Sequence, residues 1–172
     1  MMRVITGSAR GRRLETLPGE DVTRPTTESV KEALFSMIQF DIEGRRVLDL
    51  FAGSGQLGIE ALSRGAKHAV ERNLAHCRLE EQANVVFSDA VSFLNRSGTY
   101  DLVLLDPPYG KGILQRVLAA LVPRLSDDAM VVCESGRDEE LPAQVGSFVL
   151  DRERRHGKTK IALYLRGKDL AE

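Results

Sequence analysis

The 172-residue sequence predicts an α/β fold built on a parallel sheet covered on both faces, and three observations carry that reading. From Arg46 onward, short apolar runs alternate with segments of helical spacing. A glycine-rich turn follows the first of those runs. The last two runs, near the C-terminus, have no helical segment between them. Strands of four to six apolar residues separated by helices imply βαβ crossovers, and crossovers place helices on both faces of a parallel sheet.

In chain order, RVIT and RRLE flank the turn-rich GSARG and predict an N-terminal hairpin. TRPTTESVKEALFSMI follows as a helix, punctuated by Pro25 and capped by Thr26 or Thr27, with Val30, Ala33, Leu34, Met37 and Ile38 at helical spacing. The alternation then runs through the strand RVLDLF, the helix QLGIEALSR, the strand AKHAV, the helix RNLAHCRLEEQ and the strand NVVFSD. It continues with the strand DLVLLD, the helix ILQRVLAALVPRL and the strand MVVCES. SFVLD and KTKIALYLR, joined by the basic, glycine-containing RERRHG, read as an antiparallel edge.

Composition narrows the class. A 42% hydrophobic chain of this length supports one packed core with small appendages. No apolar run approaches the roughly 20 residues that span a bilayer, and MMRVITGSARGRR has no apolar stretch behind its basic residues. The expectation is a cytoplasmic protein without a membrane segment. The two cysteines, Cys77 and Cys133, match no metal spacing and read as core thiols, so no metal is expected. The net charge of −1 hides an uneven distribution, with Arg3, Arg10, Arg12 and Arg13 before the first acid, Glu15. Arg152, Arg154, Arg155, Lys158, Lys160, Arg166 and Lys168 crowd the other end. Such ends form an electrostatic footprint for a polyanion, or else two solvated termini.

Gly53, Gly55 and Gly58 make a literal G-x-G-x-x-G between a strand and a helix. That arrangement lets a ligand approach the backbone closely and aims a helix N-terminus at it. Read literally, the pattern suggests a dinucleotide. Against that, Asp49 lies inside the strand, where a carboxylate repels a pyrophosphate and attracts a cationic ligand, and the bulky Phe51 enters the turn. A second motif, Asp106-Pro107-Pro108-Tyr109, ends the strand DLVLLD at the sheet edge where ligands bind in open α/β sheets. An exocyclic amino nitrogen of a base is a poor nucleophile because its lone pair is delocalised into the ring. Asp106 and the carbonyl of Pro107 can accept its two N–H groups, the rigid Pro107-Pro108 pair fixes those acceptors, and Tyr109 offers a face for stacking.

VLDLFAGSGQLGIEAL resembles the first motif of class I S-adenosylmethionine (SAM) dependent methyltransferases, and DPPY resembles the fourth motif of their amino-directed members. The first resemblance implies a Rossmann-like, doubly wound sheet, and a loop of Asp49, Phe51, Ala52, Gly53, Ser54 and Gly55 around the methionine part of SAM. Asp89, with Ala90 behind it, resembles the acid that meets the adenine amino group, although an acid at a strand end is also commonly a helix cap. The order RVITGSARGRRLE, TRPTTESVKEALFSMI, FAGSG, DPPY and GKTKIALYLR resembles the bacterial 16S rRNA guanine-N2 methyltransferase family of the RsmD type along almost the whole chain.

That resemblance implies a mostly parallel seven-stranded sheet with an antiparallel edge strand, methylation of a guanine N2 in 16S rRNA, and ribosomal RNA or a small subunit as partner. It divides the chain into an RNA-gripping extension, residues 1–24, and a SAM-dependent methyltransferase domain, residues 25–172. Arg10, Arg12, Arg13, Arg24, Arg155 and Lys158 are the expected RNA contacts, and Arg24, Pro25 and Thr26 are placed near the mouth of the site. An adenine-N6 methyltransferase, a protein-amide methyltransferase, a catalytically idle RNA-binding protein and a nicotinamide-dependent oxidoreductase remain as alternatives. DPPY and Asp49 argue against the last two; Asp in place of Asn at position 106 argues against the amide enzyme.

One irregularity stands out against the family pattern. AKHAV runs straight into ERNLAHCRLEEQANVVFSD, leaving the second strand little room before the next helix. Either Glu71 is the acid that holds the SAM ribose, or a segment is missing between Val70 and Glu71.

Overall fold

The computed structural model describes residues 2–14, 27–66, 79–86, 88–95 and 98–167. These fall into two compact units, residues 1–86 and 87–172.

In the first unit, β1 (Met2–Arg3) pairs antiparallel with β2 (Arg13–Leu14) in the expected hairpin, with Met2 opposite Leu14. Two-residue strands hold little by themselves. The turn between them is fixed instead by α2 (Gln56–Ser63): Ser8 N donates to the Ser63 carbonyl at 2.8 Å and Ala9 N to Ser63 Oγ at 2.9 Å. Gly7 is indispensable to that docking. A Cβ on it would stand 1.7 Å from the Ser63 carbonyl oxygen, and its φ of 85° is one that side chains disfavour.

Helix α1 (Glu28–Met37) begins where the capping signal places it, with Thr27 Oγ1 accepting from Val30 N at 3.3 Å. Its apolar stripe of Val30, Leu34 and Phe35, continued by Ile38, is buried. After β3 (Val47–Asp49), α2 is buried along its whole length, including the charged Glu60.

The second unit holds the sheet order β4-β5-β8-β7-β6. Its strands are β4 (Tyr100–Leu105), β5 (Leu125–Gly136), β6 (Gln144–Val145), β7 (Phe148–His156) and β8 (Thr159–Arg166). β4 and β5 are parallel, with Val103 opposite Val131 and Leu105 opposite Cys133. A short α3 (Ala90–Leu94) precedes β4, and α4 (Ile113–Leu121) makes the crossover between β4 and β5. Every residue of β5 from Ala129 to Ser135 is buried, so both faces of that strand are covered, as a parallel α/β sheet requires. Cys133 is fully buried and burial pushes its thiol well above the usual range, which makes it a core residue and no nucleophile. Among the described residues no helix is long and apolar enough to cross a membrane, and no group of three or more His, Cys, Asp or Glu could hold a metal.

The expected edge hairpin forms with different boundaries. RERRH is not a connection but the second half of β7, and the turn shrinks to Gly157-Lys158, with Gly157 at φ 61°. Residues 151–155 are all exposed, so charged side chains occupy both faces of that strand end at no desolvation cost. A register shift between Leu150 and Arg152 accommodates the extra residue. The described part of NVVFSD does not form the expected strand: residues 83–86 follow a 3-10 turn, Glu80–Gln82, without joining a ladder, Val86 is 52% exposed, and Phe87 lies outside the described residues. Among the described residues no strand pairs with this run, and a backbone outside a ladder must find its hydrogen bonds elsewhere. All of AKHAV after Ala66, most of the helix after it, and the Val70 to Glu71 junction lie outside the described residues.

Candidate active site

The glycine loop sits where β3 hands over to α2. Gly53 and Gly55 adopt φ of 51° and 79°, the left-handed region that glycine occupies freely. Gly55 N donates to the Ala52 carbonyl at 2.6 Å and the Gly55 carbonyl accepts from Ile59 N, so the loop closes tightly onto the helix start. Asp49, half-buried at the end of β3, accepts from Gly58 N through Oδ2 at 2.9 Å. That bond spans the loop and joins the strand end to the helix. Ser54 is buried and donates to Met2 Sδ at 3.4 Å, while Gly53 is exposed at the tip and Phe51 and Ala52 are half-buried. As N-cap of α2, Gly55 carries no side chain to occupy the amides of the first turn.

Behind this loop, α2 carries a buried ion cluster that the sequence reading missed. Glu60 Oε2 accepts from Ile5 N at 2.7 Å and Oε1 from Thr6 N at 3.0 Å. Lys31 Nζ lies 3.5 Å from Glu60 Oε2 and donates to the Arg3 carbonyl at 2.6 Å. Arg64 completes the cluster, 2.9 Å from Glu60 Oε1 and stacked 4.7 Å over the Phe35 ring. Lys31 and Glu60 are fully buried, and burial pulls the lysine below its ordinary pKa against the opposing pull of Glu60. The basic hairpin is therefore fastened to the helix that begins at the glycine loop. One signal was available in the sequence: Glu60 interrupts the apolar QLGIEALS and has Arg64 one turn later.

In the second unit, Asp106 leaves the end of β4 half-buried, Pro107 is buried, and Pro108 and Tyr109 are exposed. Tyr109 keeps 41% of its surface open while its hydroxyl donates to Glu134 Oε1 at 2.6 Å. Glu134, on β5, is 2% exposed. Burial first, then the carboxylates of Glu134 and Asp106, hold the phenol far above its ordinary pKa, so the hydroxyl remains a donor. The ring is thus fixed by its tip and offered by its face. An acid inside the otherwise apolar MVVCES was the sequence signal for such a buried partner. Tyr109→Phe is expected to destabilise the fold by about 1.5–3 kcal/mol, the typical worth of a hydrogen bond to a charged group. Urea denaturation checks this, and an unchanged midpoint would show that Glu134 does not depend on the hydroxyl.

The remaining expected residues are placed as follows. Asp89 caps α3, its exposed carboxylate accepting from Ser92 N at 3.0 Å, which holds it below the usual carboxylate range; Ala90 is the first residue of that helix. Arg10 and Arg13 are exposed and Arg12 half-buried on the β1–β2 hairpin, and Arg155 and Lys158 are exposed on the β7–β8 hairpin. Lys160, counted with the basic end, is instead buried: it pairs with Glu153 at 2.8 Å and donates to the Glu139 carbonyl at 2.5 Å. Arg24 and Glu71 lie outside the described residues.

Comparison with known proteins gives this arrangement its context. The chain is 40% identical over 181 positions to the putative rRNA methyltransferase YlbH of Bacillus subtilis, covering 95% of this chain and 98% of the relative. It is 37% identical to the ribosomal RNA small subunit methyltransferase D of Escherichia coli K12, over 96% of this chain and 90% of the relative. The solved structure of the putative methyltransferase yhhF from Escherichia coli superimposes with a TM-score of 0.82 at 37% identity, covering 96% of this chain and 97% of that one. The fold is accordingly the Rossmann-like methyltransferase fold. A family model described as Conserved hypothetical protein 95 matches residues 2–165, and the chain belongs to that family, the RsmD-type methyltransferases.

Proposed function

We propose that this chain transfers a methyl group from SAM to the exocyclic N2 of a guanine in small-subunit ribosomal RNA. The observation that carries the reading is the DPPY tetrapeptide at the end of β4, with the Tyr109 ring anchored on buried Glu134, in a chain of this family. Asp106 and the Pro107 carbonyl accept the two N–H groups of the amino nitrogen and so orient its lone pair. Tyr109 holds the base by its face, leaving the hydroxyl to Glu134. SAM supplies an activated methyl on a sulfonium centre. Its methionine end fits the loop from Asp49 through Phe51, Ala52, Gly53 and Ser54 to Gly55, where two glycines leave the backbone open and the N-cap adds no side chain. Asp89 is assigned to the adenine amino group and Glu71 to the ribose.

Incubating the protein with SAM and small subunits from a strain lacking the endogenous enzyme tests the reading. Nucleoside mass spectrometry should find N2-methylguanosine; N6-methyladenosine or no methylated base would overturn it.

Two expected results accompany this reading. Gly53→Val should weaken SAM binding at least tenfold, about 1.4 kcal/mol, because a β-branched residue is strained at φ 51° and its side chain fills the ligand's approach. Unchanged affinity by calorimetry would remove the loop from the cofactor site. The extension of residues 1–24 is assigned to gripping RNA, with Arg24 and, from the other hairpin, Arg155 and Lys158 contributing. Replacing Arg10, Arg12 and Arg13 by Gln should flatten the salt dependence of RNA binding by about 0.7–0.9 log units per lost phosphate contact while leaving SAM affinity intact. An unaltered slope would make the hairpin a solvated surface only.

A further inference from the structure

Side chains alternate between the two faces of a sheet, so residues paired across strands share a face. Glu134 on β5 is opposite Ile161 on β8, which is opposite Arg154 on β7. In the next row of that face, Gly136 is opposite Thr159, which is opposite His156. Tyr109 lies on the same face. Its hydroxyl donates to Glu134 Oε1 at 2.6 Å, Thr159 reaches the same hydroxyl, and a Cβ on Gly136 would stand 3.8 Å from Tyr109 Cβ. The adjacent Arg155 is opposite Lys160 and takes the other face, where Lys160 pairs with Glu153 at 2.8 Å.

The charge on the ring's face has one sign along the hairpin. From the pair Arg152 and Leu163 to the pair His156 and Thr159, that face of β7 and β8 includes no acid. Glu134 is buried under the ring and accepts from its hydroxyl. Arg152 has Asp151 at 3.7 Å, whereas no carboxylate among the described residues pairs with the exposed Arg154. Asp138 and Glu139 follow the end of β5, where Arg137 and Lys158 stand with them in an open groove. Charge is therefore balanced beyond the strand ends and positive along β7. Arg154 is two strand spacings from Glu134, about 10 Å. The sugar and phosphate beside a base stacked on Tyr109 cover such a span together with an extended arginine.

We infer that the Tyr109 face of the β7–β8 hairpin carries the RNA strand next to the target base, and that Arg154 holds a phosphate of that strand. The inference rests on the reading above, in which the base stacks on Tyr109, and adds the surface on which the neighbouring backbone lies. A base joins its chain through one bond, so a base held on the ring draws its own sugar and phosphates over the surface beside it. Among the strands of the second unit, β7 alone supplies cations on that side of the sheet. Arginine suits the task, because its planar fork offers parallel N–H groups to two phosphate oxygens. Arg155 has the same charge and is also exposed, but it faces the other way. It adds to the general attraction for RNA without reaching the same phosphate.

Arg154→Gln and Arg155→Gln remove the same charge from adjacent residues, so the face is what distinguishes them. Methylation of small subunits from the strain lacking the endogenous enzyme gives kcat and KM, and binding to protein-free 16S rRNA over a salt series gives the slope. Arg154→Gln should weaken the interaction about tenfold, the scale of one hydrogen bond to a charged group, and mainly in KM rather than kcat. It should also reduce the salt slope by about 0.7 log units, one single-strand phosphate, and Arg154→Lys should restore that slope. Arg155→Gln should raise KM less than about threefold, because a charge without a direct contact is screened. Equal effects of the two Gln variants, or none from Arg154→Gln, with guanine N2 still methylated, overturn the role of Arg154 and leave the guanine-N2 reading standing. A raised KM for subunits with unchanged binding to bare rRNA gives Arg154 a protein partner and overturns it too. Absence of N2 methylation by the wild-type enzyme overturns the guanine-N2 reading itself, and the salt slopes of the variants then still decide the role of Arg154. Thermal melts within a few degrees of wild type exclude misfolding as the cause, since Arg154 is exposed.

Discussion

Asp106→Ala is expected to abolish methyl transfer while SAM binding stays within about tenfold, or roughly 1.4 kcal/mol. The carboxylate leaves the end of β4 half-buried, three residues before Tyr109, and its charge adds to the burial and the Glu134 carboxylate that hold the Tyr109 proton on. Its assigned partner is the amino group of the base. Acceptance of a proton-bearing group in the transition state is worth about 10²–10⁴-fold, and loss of alignment adds to that. Single-turnover assays on small subunits measure the transfer and calorimetry measures the cofactor. Wild-type turnover would remove Asp106 from the chemistry; loss of SAM affinity beyond tenfold would move it to the cofactor site.

Glu60→Ala is expected to be the most destabilising single change in the first unit, at about 3–5 kcal/mol, the usual cost of leaving one member of a buried ion pair alone. Lys31 would remain fully buried without its carboxylate, and the amides of Ile5 and Thr6 would lose their acceptor. Because the same carboxylate fastens the N-terminal hairpin to α2, the variant should also expose that hairpin to proteolysis before the rest of the unit. Urea denaturation and limited digestion read the two effects. A loss under about 1 kcal/mol would mean that solvent reaches Lys31 and replaces Glu60 at little cost.

The sequence by itself determined the elements whose signals are local. Thr27 caps α1 because its hydroxyl meets an amide three residues on, Gly53 and Gly55 turn the loop because only they take positive φ cheaply, and DPPY ends β4. The apolar period of α4 and the buried run of β5 were equally readable, since burial on one stripe or on both faces is written in residue order.

Only tertiary structure decided the rest. Lys31 and Glu60 become a buried pair because α1, α2 and the N-terminal strand converge, a meeting between residues 29 apart in sequence. RERRH extends as strand because β8 offers it a ladder, whereas the more apolar residues 83–86 join no ladder among the described residues. Asp89 shows the same division: its position before a helix was legible, and the Ser92 amide it caps was an available alternative from the outset. Glu134 and Glu139 acquire meaning only from Tyr109 and Gly110, which approach them from another strand end. Backbone signals act over one turn and are printed in order along the chain, but the partner of a buried charge is chosen by packing.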